Sequence, residues 1–199
     1  MTRPVRKDAL RNYQRLLETA EHAFTAHGTH APLEQIARDA GVGIGTLYRH
    51  FPNRDALLAA LLQERWIDQA ALAEKLHEED GDPVEALRTW LTAVARGTLL
   101  YRDLPDACLR LMSDPESEMH RAWKQVRDGG DRLLERARRV GGVRSDVTTV
   151  EMFALVHGAI AALHKSAAHH PGTVSDASRM IDLLIDGIAA PTAPRHPST

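Results

Sequence analysis

Residues 33–58 read LEQIARDAGVGIGTLYRHFPNRDALL, and this stretch decides the fold. Its apolar spacing predicts two short helices, about 33–40 and about 44–50. Short helices cross steeply only if the turn takes unusual backbone angles and the contact residues are small. Gly41 meets the first need and Ala37 meets the second. The stretch therefore predicts a helix-turn-helix.

The second helix of this pair is expected to have a buried side and an outer side. The space between the helices is expected to be filled by Ile36, Val42, Leu47 and Phe51. The residues left for the outer side are Ile44, Gly45, Thr46, Tyr48, Arg49 and His50. Small residues followed by hydroxyl and basic ones suit a helix that enters the major groove of DNA.

The rest of the chain has the same helical periodicity, so an all-α protein of about nine helices is predicted. The apolar face of the first helix consists of Leu10, Tyr13, Leu16, Leu17, Ala20 and Phe24, and Gly28 ends the helix. Asn53 is expected to cap a long fourth helix, from Arg54 to about Leu76. Further helices are expected at about 84–101, 104–112, 114–140, 147–169 and 174–189.

A chain of 199 residues can hold one large core, or a small module on a larger one. The pattern predicts a DNA-binding head over residues 1–54 and a helical body over 55–190, joined through the long fourth helix. The tail, 191–199, is rich in Pro, Thr and Ser and is expected to be disordered.

Composition excludes several classes of protein. With 43% hydrophobic and 26% charged residues, the chain is not mainly disordered. It has neither an apolar run of about 18 residues nor a secretory signal, so a cytoplasmic protein without a membrane partner is expected. The single cysteine, Cys108, cannot form an intrachain disulfide, and zinc-site spacing is absent from the sequence; we expect no metal and no cofactor.

Charge is divided unevenly along the chain. Residues 1–54 carry eight Lys or Arg and five Asp or Glu, a net charge of +3, whereas the whole chain carries −2, which leaves −5 for the remainder. Affinity for nucleic acid follows local charge. A mildly basic head on an acidic body suits contact with a polyanion at one end only.

The segment IARDAGVGIGTLYRHFPNRDALL resembles the signature of the TetR family of repressors, in which the recognition helix reads G-T-L-Y-x-H-F and a basic residue follows. The resemblance covers about residues 10–60. It implies a homodimeric, one-component transcription regulator, with double-stranded operator DNA and a small effector as partners. One departure is Gly43, where many relatives have a Ser or Thr that caps the recognition helix.

The resemblance also implies roles for individual residues. Thr46, Tyr48 and His50 would donate hydrogen bonds to phosphates, and Arg54 would make the basic phosphate contact of the family. Arg49 is the candidate for a base-edge contact. Ile44 and Gly45 would lie against the groove, and Arg3, Arg6 and Lys7 would form a basic arm. Alternatives stay open: Tyr48 as a core aromatic, Thr46 as a local cap, and both arginines as solvated charges.

The body must offer a cavity if it senses a small molecule, and large, soft side chains are suited to line one. The candidates are Trp90, Tyr101, Leu104, Cys108, Met112, Met119, Trp123, Phe153 and His157, which predict a largely apolar effector. Each of them is equally explained as plain core. For His157, a core or interface histidine is the more frequent outcome.

The last two helices are rich in small and apolar residues. In the resembled family these helices pair with their copies across a twofold axis. The interface candidates are Gly158, Ala161, Ala162, His164, Met180, Ile181, Leu184, Ile185 and Ile188. Packing within one chain explains the apolar stripe equally well.

Three rival functions remain at this stage. A helical enzyme lacks a recognisable catalytic motif, so no enzyme activity is expected. A DNA-binding regulator could sense a protein partner rather than a metabolite, and an exposed apolar face on the body would favour it. A binder without sequence preference would show a shallow specificity ratio.

Overall fold

A computed structural model describes residues 3–97, 106–169 and 177–189. Within these ranges the chain is all-α, as predicted, and the only strand-like pairing is an isolated bridge between Val143 and Ala189. Its nine helices are α1 (Arg3–His27), α2 (Leu33–Asp39), α3 (Ile44–His50), α4 (Arg54–Glu78), α5 (Pro83–Gly97), α6 (Asp106–Ser113), α7 (Glu118–Arg139), α8 (Thr149–His169) and α9 (Ala177–Ile188). The predicted tail, 191–199, lies outside the described residues.

Glycine and asparagine mark the helix ends that the sequence predicted. Gly28 follows α1 with φ of 78°, and Gly41 follows α2 with φ of 64°. Side chains with a Cβ rarely adopt this left-handed conformation. Asn53 caps α4, because its Oδ1 accepts a hydrogen bond of 2.8 Å from the backbone N–H of Ala56.

Two predicted helix starts were too early, and side-chain caps explain both. α7 begins at Glu118 rather than at Asp114, because Asp114 and Pro115 form a turn and Ser117 Oγ accepts from the N–H of His120. α8 begins at Thr149 rather than at 147. Thr148 and Glu151 form a reciprocal capping box, with Thr148 N–H donating to Glu151 Oε2 at 2.8 Å.

The chain forms two compact units. Among the described residues, one consists of 3–67 and 106–123, and the other of 68–97, 124–169 and 177–189. α4 passes along the chain from the first unit into the second. This division is one of packing, and the functional boundary expected at residue 54 stays a prediction.

The first unit is built on α1. Leu16, Leu17 and Ala20 are buried on one face of this helix, and α2 packs against it. Leu10, expected on the same face, is 59% exposed. The covered face of α1 therefore begins at Tyr13, one turn later than the sequence suggested.

The second unit is centred on Trp90 of α5, which is fully buried. Its indole Nε1 donates a hydrogen bond of 3.0 Å to the carbonyl oxygen of Gln69 in α4, and its ring meets Phe153 of α8 edge-on at 5.6 Å between centroids. A Cβ placed on Gly130 of α7 would lie 2.4 Å from Trp90 Cη2. Four helices therefore meet at one indole ring, and only glycine fits beside it.

No described helix combines the length and apolarity needed to span a bilayer. Among the described residues, no group of three or more His, Cys, Asp or Glu side chains is placed to hold a metal ion.

Candidate nucleic-acid interface

The turn between α2 and α3 is closed by backbone hydrogen bonds. Gly41 N–H donates to the carbonyl of Arg38 at 2.9 Å, and Val42 N–H donates to that of Ala37 at 3.0 Å. A Cβ at Gly41 would lie 2.5 Å from Nη2 of Arg15 in α1. Glycine is therefore favoured at Gly41 by its positive φ, whereas the Arg15 guanidinium, at the end of a flexible side chain, could move aside for a Cβ.

The inner side of α3 is fixed by apolar contacts. Leu47 and Phe51 are buried as predicted, whereas Val42 is only half-buried. The ring of Tyr13 in α1 lies 5.1 Å from that of Phe51 and 5.9 Å from that of His50. Burial, with smaller contributions from Glu64 and Glu118, raises the pKa of Tyr13, so its hydroxyl is neutral at pH 7. α3 is thus held at its C-terminal end by α1.

The outer side of α3 carries the residues that the sequence assigned to it. Tyr48 is 44% exposed, which the alternative of a core aromatic does not explain. Ile44, Gly45 and Arg49 are also exposed, and Thr46 and His50 are half-buried. α3 contains no acidic residue, so nothing on this helix repels a phosphate chain.

Thr46 and Arg49 contact each other on this surface. Arg49 Nη2 donates a 2.8 Å hydrogen bond to Thr46 Oγ1, and Arg49 Nε donates a 3.3 Å bond to the carbonyl of Gly45. The N-cap of α3 is Gly43, which has extended backbone angles and provides no side-chain cap. The Thr46 hydroxyl is therefore a partner of Arg49 rather than a helix cap, a contact that the sequence analysis missed.

Arg54, the first residue of α4, also makes contacts that the sequence did not indicate. Its Nη1 donates to the carbonyl oxygens of Thr29 at 2.7 Å and of Ala31 at 2.5 Å. These carbonyls lie in the loop between α1 and α2. Arg54 thus ties the start of α4 to the start of the helix-turn-helix, while Nε and Nη2 take no part in these two bonds. The phosphate contact expected of Arg54 stays a prediction.

The basic arm is described only in part. Lys7 is exposed in the second turn of α1. The side chains of Arg3 and Arg6 lie outside the described part of the structure, and their DNA contacts stay predictions.

The candidate effector residues are divided between the two compact units. Cys108, Met112, Met119 and Trp123 belong to the first unit, whereas Trp90, Phe153 and His157 belong to the second; Tyr101 and Leu104 lie outside the described residues. Trp123 packs against Trp66 at 5.5 Å between centroids. Burial, with a smaller contribution from Asp55, raises the pKa of the Cys108 thiol to about 11, so it is protonated at neutral pH.

In the second unit, Phe153 and His157 stack at 5.9 Å between ring centroids. Burial lowers the pKa of His157, so this imidazole is neutral at pH 7. Thr149, which no sequence motif indicated, lies beside Trp90 and Gly130. Its buried Oγ1 has no hydrogen-bond partner within the described ranges. A role for any of these residues in binding an effector stays a prediction.

The predicted interface stripe on α9 divides between two faces. Ile181, Ile185 and Ile188 are buried within the chain, where α9 packs on α5 and α8. This burial agrees with the alternative of intrachain packing, and a role for these three in a dimer interface stays a prediction. Met180 and Leu184 are only half-buried. The spacing of the two sets, 181, 185 and 188 against 180 and 184, already separates them by one helical position.

The outer faces of α8 and α9 form a groove of about 710 Å³. It is lined by Ala154, Leu155, Ala159, Met180, Leu183, Leu184, Gly187 and Ile188, with Arg144, Asp146, Val147 and Glu151 also contributing. Leu155 is 54% exposed and Leu183 is 48% exposed, and the sequence analysis named neither. Gly158, Ala161 and Ala162 of α8 are exposed as well; the side chain of His164 lies outside the described part.

Comparison with known proteins matches both halves of the chain to family models. Residues 16–61 match the model for bacterial regulatory proteins of the tetR family. Residues 82–190, over half the chain, match the model described as the C-terminal domain of SbtR-like transcriptional regulators. The predicted helix-turn-helix thus corresponds to the N-terminal domain of this family, and the helical body corresponds to a C-terminal domain of the same family.

Solved structures and curated sequences agree with these models. A TetR regulator from Streptomyces coelicolor is 28% identical with a TM-score of 0.67, covering 90% of this chain and 99% of its own. One from Mycobacterium vanbaalenii is 32% identical with a TM-score of 0.64, covering 94% of this chain and 100% of its own.

An HTH-type transcriptional regulator of Staphylococcus aureus is 40% identical over 60 residues, 30% of this chain. That match covers 32% of the relative, so the chain aligns with about a third of the length of the curated relatives it matches. The exposed outer side of α3, the matched models at both ends and the full-length structural likeness lead to one conclusion: the chain belongs to the TetR family of DNA-binding transcriptional regulators.

Proposed function

We propose that this regulator binds a palindromic operator as a homodimer and represses transcription until a small, largely apolar effector releases it. The observation that carries the proposal is the outer side of α3, where Tyr48 and Arg49 are exposed although α3 is anchored from beneath by Leu47 and Phe51. A helix anchored on its inner side, with exposed hydroxyl and guanidinium groups on the other, has the form needed in a major groove.

The proposed contacts fall into two kinds. Hydroxyl and ring N–H groups of Tyr48 and His50 would bond to phosphates and fix the register of the helix. Arg49 would bond to the edge of a base and carry sequence preference. Ile44 and Gly45, in the first turn of α3, would lie close to the bases. Gly45 has no side chain to prevent the approach, and the apolar side chain of Ile44 could contact a thymine methyl group.

The groove between α8 and α9 supports a dimer. Leu155 and Leu183 are large apolar side chains that are about half exposed, and both line the groove. Exposed apolar patches of this kind mark interaction surfaces. A second copy of this chain fits the proposed function, because a twofold axis there would present two copies of α3 to a palindromic site.

Release would act through α4. This helix is continuous from Arg54 to Glu78 and contributes to both compact units. A ligand that prefers one position of the body would shift α4 and alter the spacing of the two α3 helices. Half-sites lie about 34–36 Å apart, so a change of a few ångströms in the spacing of the two helices would prevent both from binding their half-sites at once.

Selection of duplexes from a random-sequence pool tests DNA binding without knowledge of the target. The full chain is expected to enrich an inverted repeat whose half-site centres are about one helical turn, or a multiple of it, apart. Anisotropy at fixed salt should then show binding at least about 10³-fold tighter than to random duplex. A chain that enriches nothing, or only a single unpaired half-site, contradicts the proposal.

Dimerisation is tested by Leu155→Glu combined with Leu183→Glu. Two carboxylates in an apolar interface are costly to bury, so the variant is expected to sediment as a monomer and to lose most of its affinity for the selected duplex. Val150→Glu is the matched control, because Val150 is exposed on α8 but is not among the residues that line the groove. A double variant that stays dimeric would place the interface elsewhere.

A further inference from the structure

We propose that Thr46 is a positioning residue for base readout: its hydroxyl orients the guanidinium of Arg49 for end-on pairing with a guanine. The inference rests on the proposed function, because it presumes that α3 lies in the major groove. It departs from the role that the family resemblance implies for Thr46, which is a phosphate contact alone.

Two hydrogen bonds hold the Arg49 side chain along the surface of α3. Nη2 donates to Thr46 Oγ1 at 2.8 Å, one turn earlier on the same face, and Nε donates to the carbonyl of Gly45 at 3.3 Å. An exposed arginine otherwise samples many rotamers, and a freely moving guanidinium contacts several bases equally well. The bond to Thr46 is the shorter of the two, so the hydroxyl is the stronger restraint.

The remaining donors determine how Arg49 can read a base. A guanidinium has five N–H groups, and the two bonds occupy Nε–H and one hydrogen of Nη2. Both hydrogens of Nη1 and one of Nη2 are not used by these bonds, and they lie at the end of the fork. Guanine presents two acceptors, N7 and O6, in the major groove, which an end-on fork can bond simultaneously.

The chemical nature of the two acceptors matters as well. A hydroxyl and a backbone carbonyl are uncharged, so they orient the guanidinium without neutralising it. A carboxylate at the same place would compete with DNA for the charge, and α3 contains no Asp or Glu. Thr46 also keeps its own O–H as a donor, so it can bond to a phosphate while it accepts from Arg49.

The test compares the sequence preferences of four full-length proteins, each selected against the same random pool: the unaltered chain, Arg49→Ala, Thr46→Val and Thr46→Ser. Arg49→Ala is expected to remove a discrimination of about 5- to 150-fold at particular G·C pairs. Thr46→Val, which has nearly the same shape without a hydroxyl, is expected to lose preference at those same pairs. Thr46→Ser is expected to keep it.

Binding of each variant to the preferred duplex and to duplexes with single base-pair changes, at one fixed salt concentration, separates positioning from a phosphate contact. If Thr46 only contacts phosphate, Thr46→Val weakens binding to all duplexes by the same factor and leaves the base preferences unchanged, which overturns the inference. A Thr46→Val profile that matches the unaltered chain overturns it too. Thermal unfolding checks that each variant folds, and Thr46→Ala, a better helix former, replaces the valine variant if it does not.

The proposed function fails in a different way. If the unaltered chain shows no base preference, sequence-specific binding itself is wrong, and that result is visible before any variant is measured. A preference in the unaltered chain that Arg49→Ala retains instead shows that Arg49 does not read bases, so Thr46 has nothing to position.

Discussion

Exchange of Tyr48 and Arg49 together for alanine is expected to abolish retention of the selected operator and to leave the fold intact. Removal of a bidentate base contact costs about 1–3 kcal/mol, and removal of a hydrogen bond to a charged phosphate costs about 1.5–3 kcal/mol. Together these predict a loss on the order of 100-fold or more in affinity, measured by anisotropy at fixed salt. Both side chains are exposed, so the free energy of unfolding should change little.

The matched control for this experiment is Arg139→Ala. Arg139 is an exposed arginine of α7, paired with Glu135, and its loss removes the same charge from a helix that is not proposed to contact DNA. Operator affinity is expected to stay within about twofold of the unaltered chain, because salt weakens the effect of an exposed charge that does not itself contact the DNA. If the double variant still binds as tightly as this control, α3 is not the recognition helix.

Replacement of Trp90 by alanine is expected to cause the largest loss of stability of any substitution considered in this protein. A buried Trp→Ala change costs about 3–5 kcal/mol, a large part of the roughly 5–15 kcal/mol that holds a domain folded. Trp90 is fully buried, contacts Phe153 and donates to the carbonyl of Gln69, so little can collapse into the space it leaves. Urea unfolding followed by circular dichroism measures the change.

Trp90→Phe separates the two contributions of the indole. This variant keeps a ring beside Phe153 but loses the N–H that donates to Gln69. The carbonyl lies within α4, where the helix supplies its own partner, so the loss should be well below that of the alanine variant. A loss below about 1 kcal/mol for Trp90→Ala itself would show that this junction is not the centre of the second unit.

Local signals in the sequence predicted much of the fold. Glycine at the ends of α1 and α2, and Asn53 before α4, act within a few residues of the chain, so the helix-turn-helix could be located without tertiary information. The start of α7 was missed because Asp114 and Pro115 also favour a helix N-terminus. Only the observed cap at Ser117 decides between the two possibilities.

Contacts between residues far apart in the chain could not be predicted from the sequence. The bonds from Arg54 join residues 23 and 25 positions apart, and the described residues 106–123 belong to the first compact unit although they are far from its other part in sequence. The Thr46–Arg49 bond is local, but it depends on which rotamer an exposed arginine adopts. The two faces of α9, in contrast, could have been predicted from the sequence. The residue spacing separates the buried isoleucines from Met180 and Leu184, but the prediction treated all of them as one stripe.

The Arg54 contacts have a mechanical consequence for the recognition helix. Only Phe51, Pro52 and Asn53 separate α3 from α4. A connection of three residues would by itself allow α3 to rotate relative to α4. Arg54 adds a second connection, because it donates hydrogen bonds to the loop that precedes α2. A displacement of the first turn of α4 would therefore act on both ends of α3. It would act on the C-terminal end through residues 51–53, and on the N-terminal end through the loop at 29–31 and α2. We expect α3 to move as a rigid body rather than to rotate.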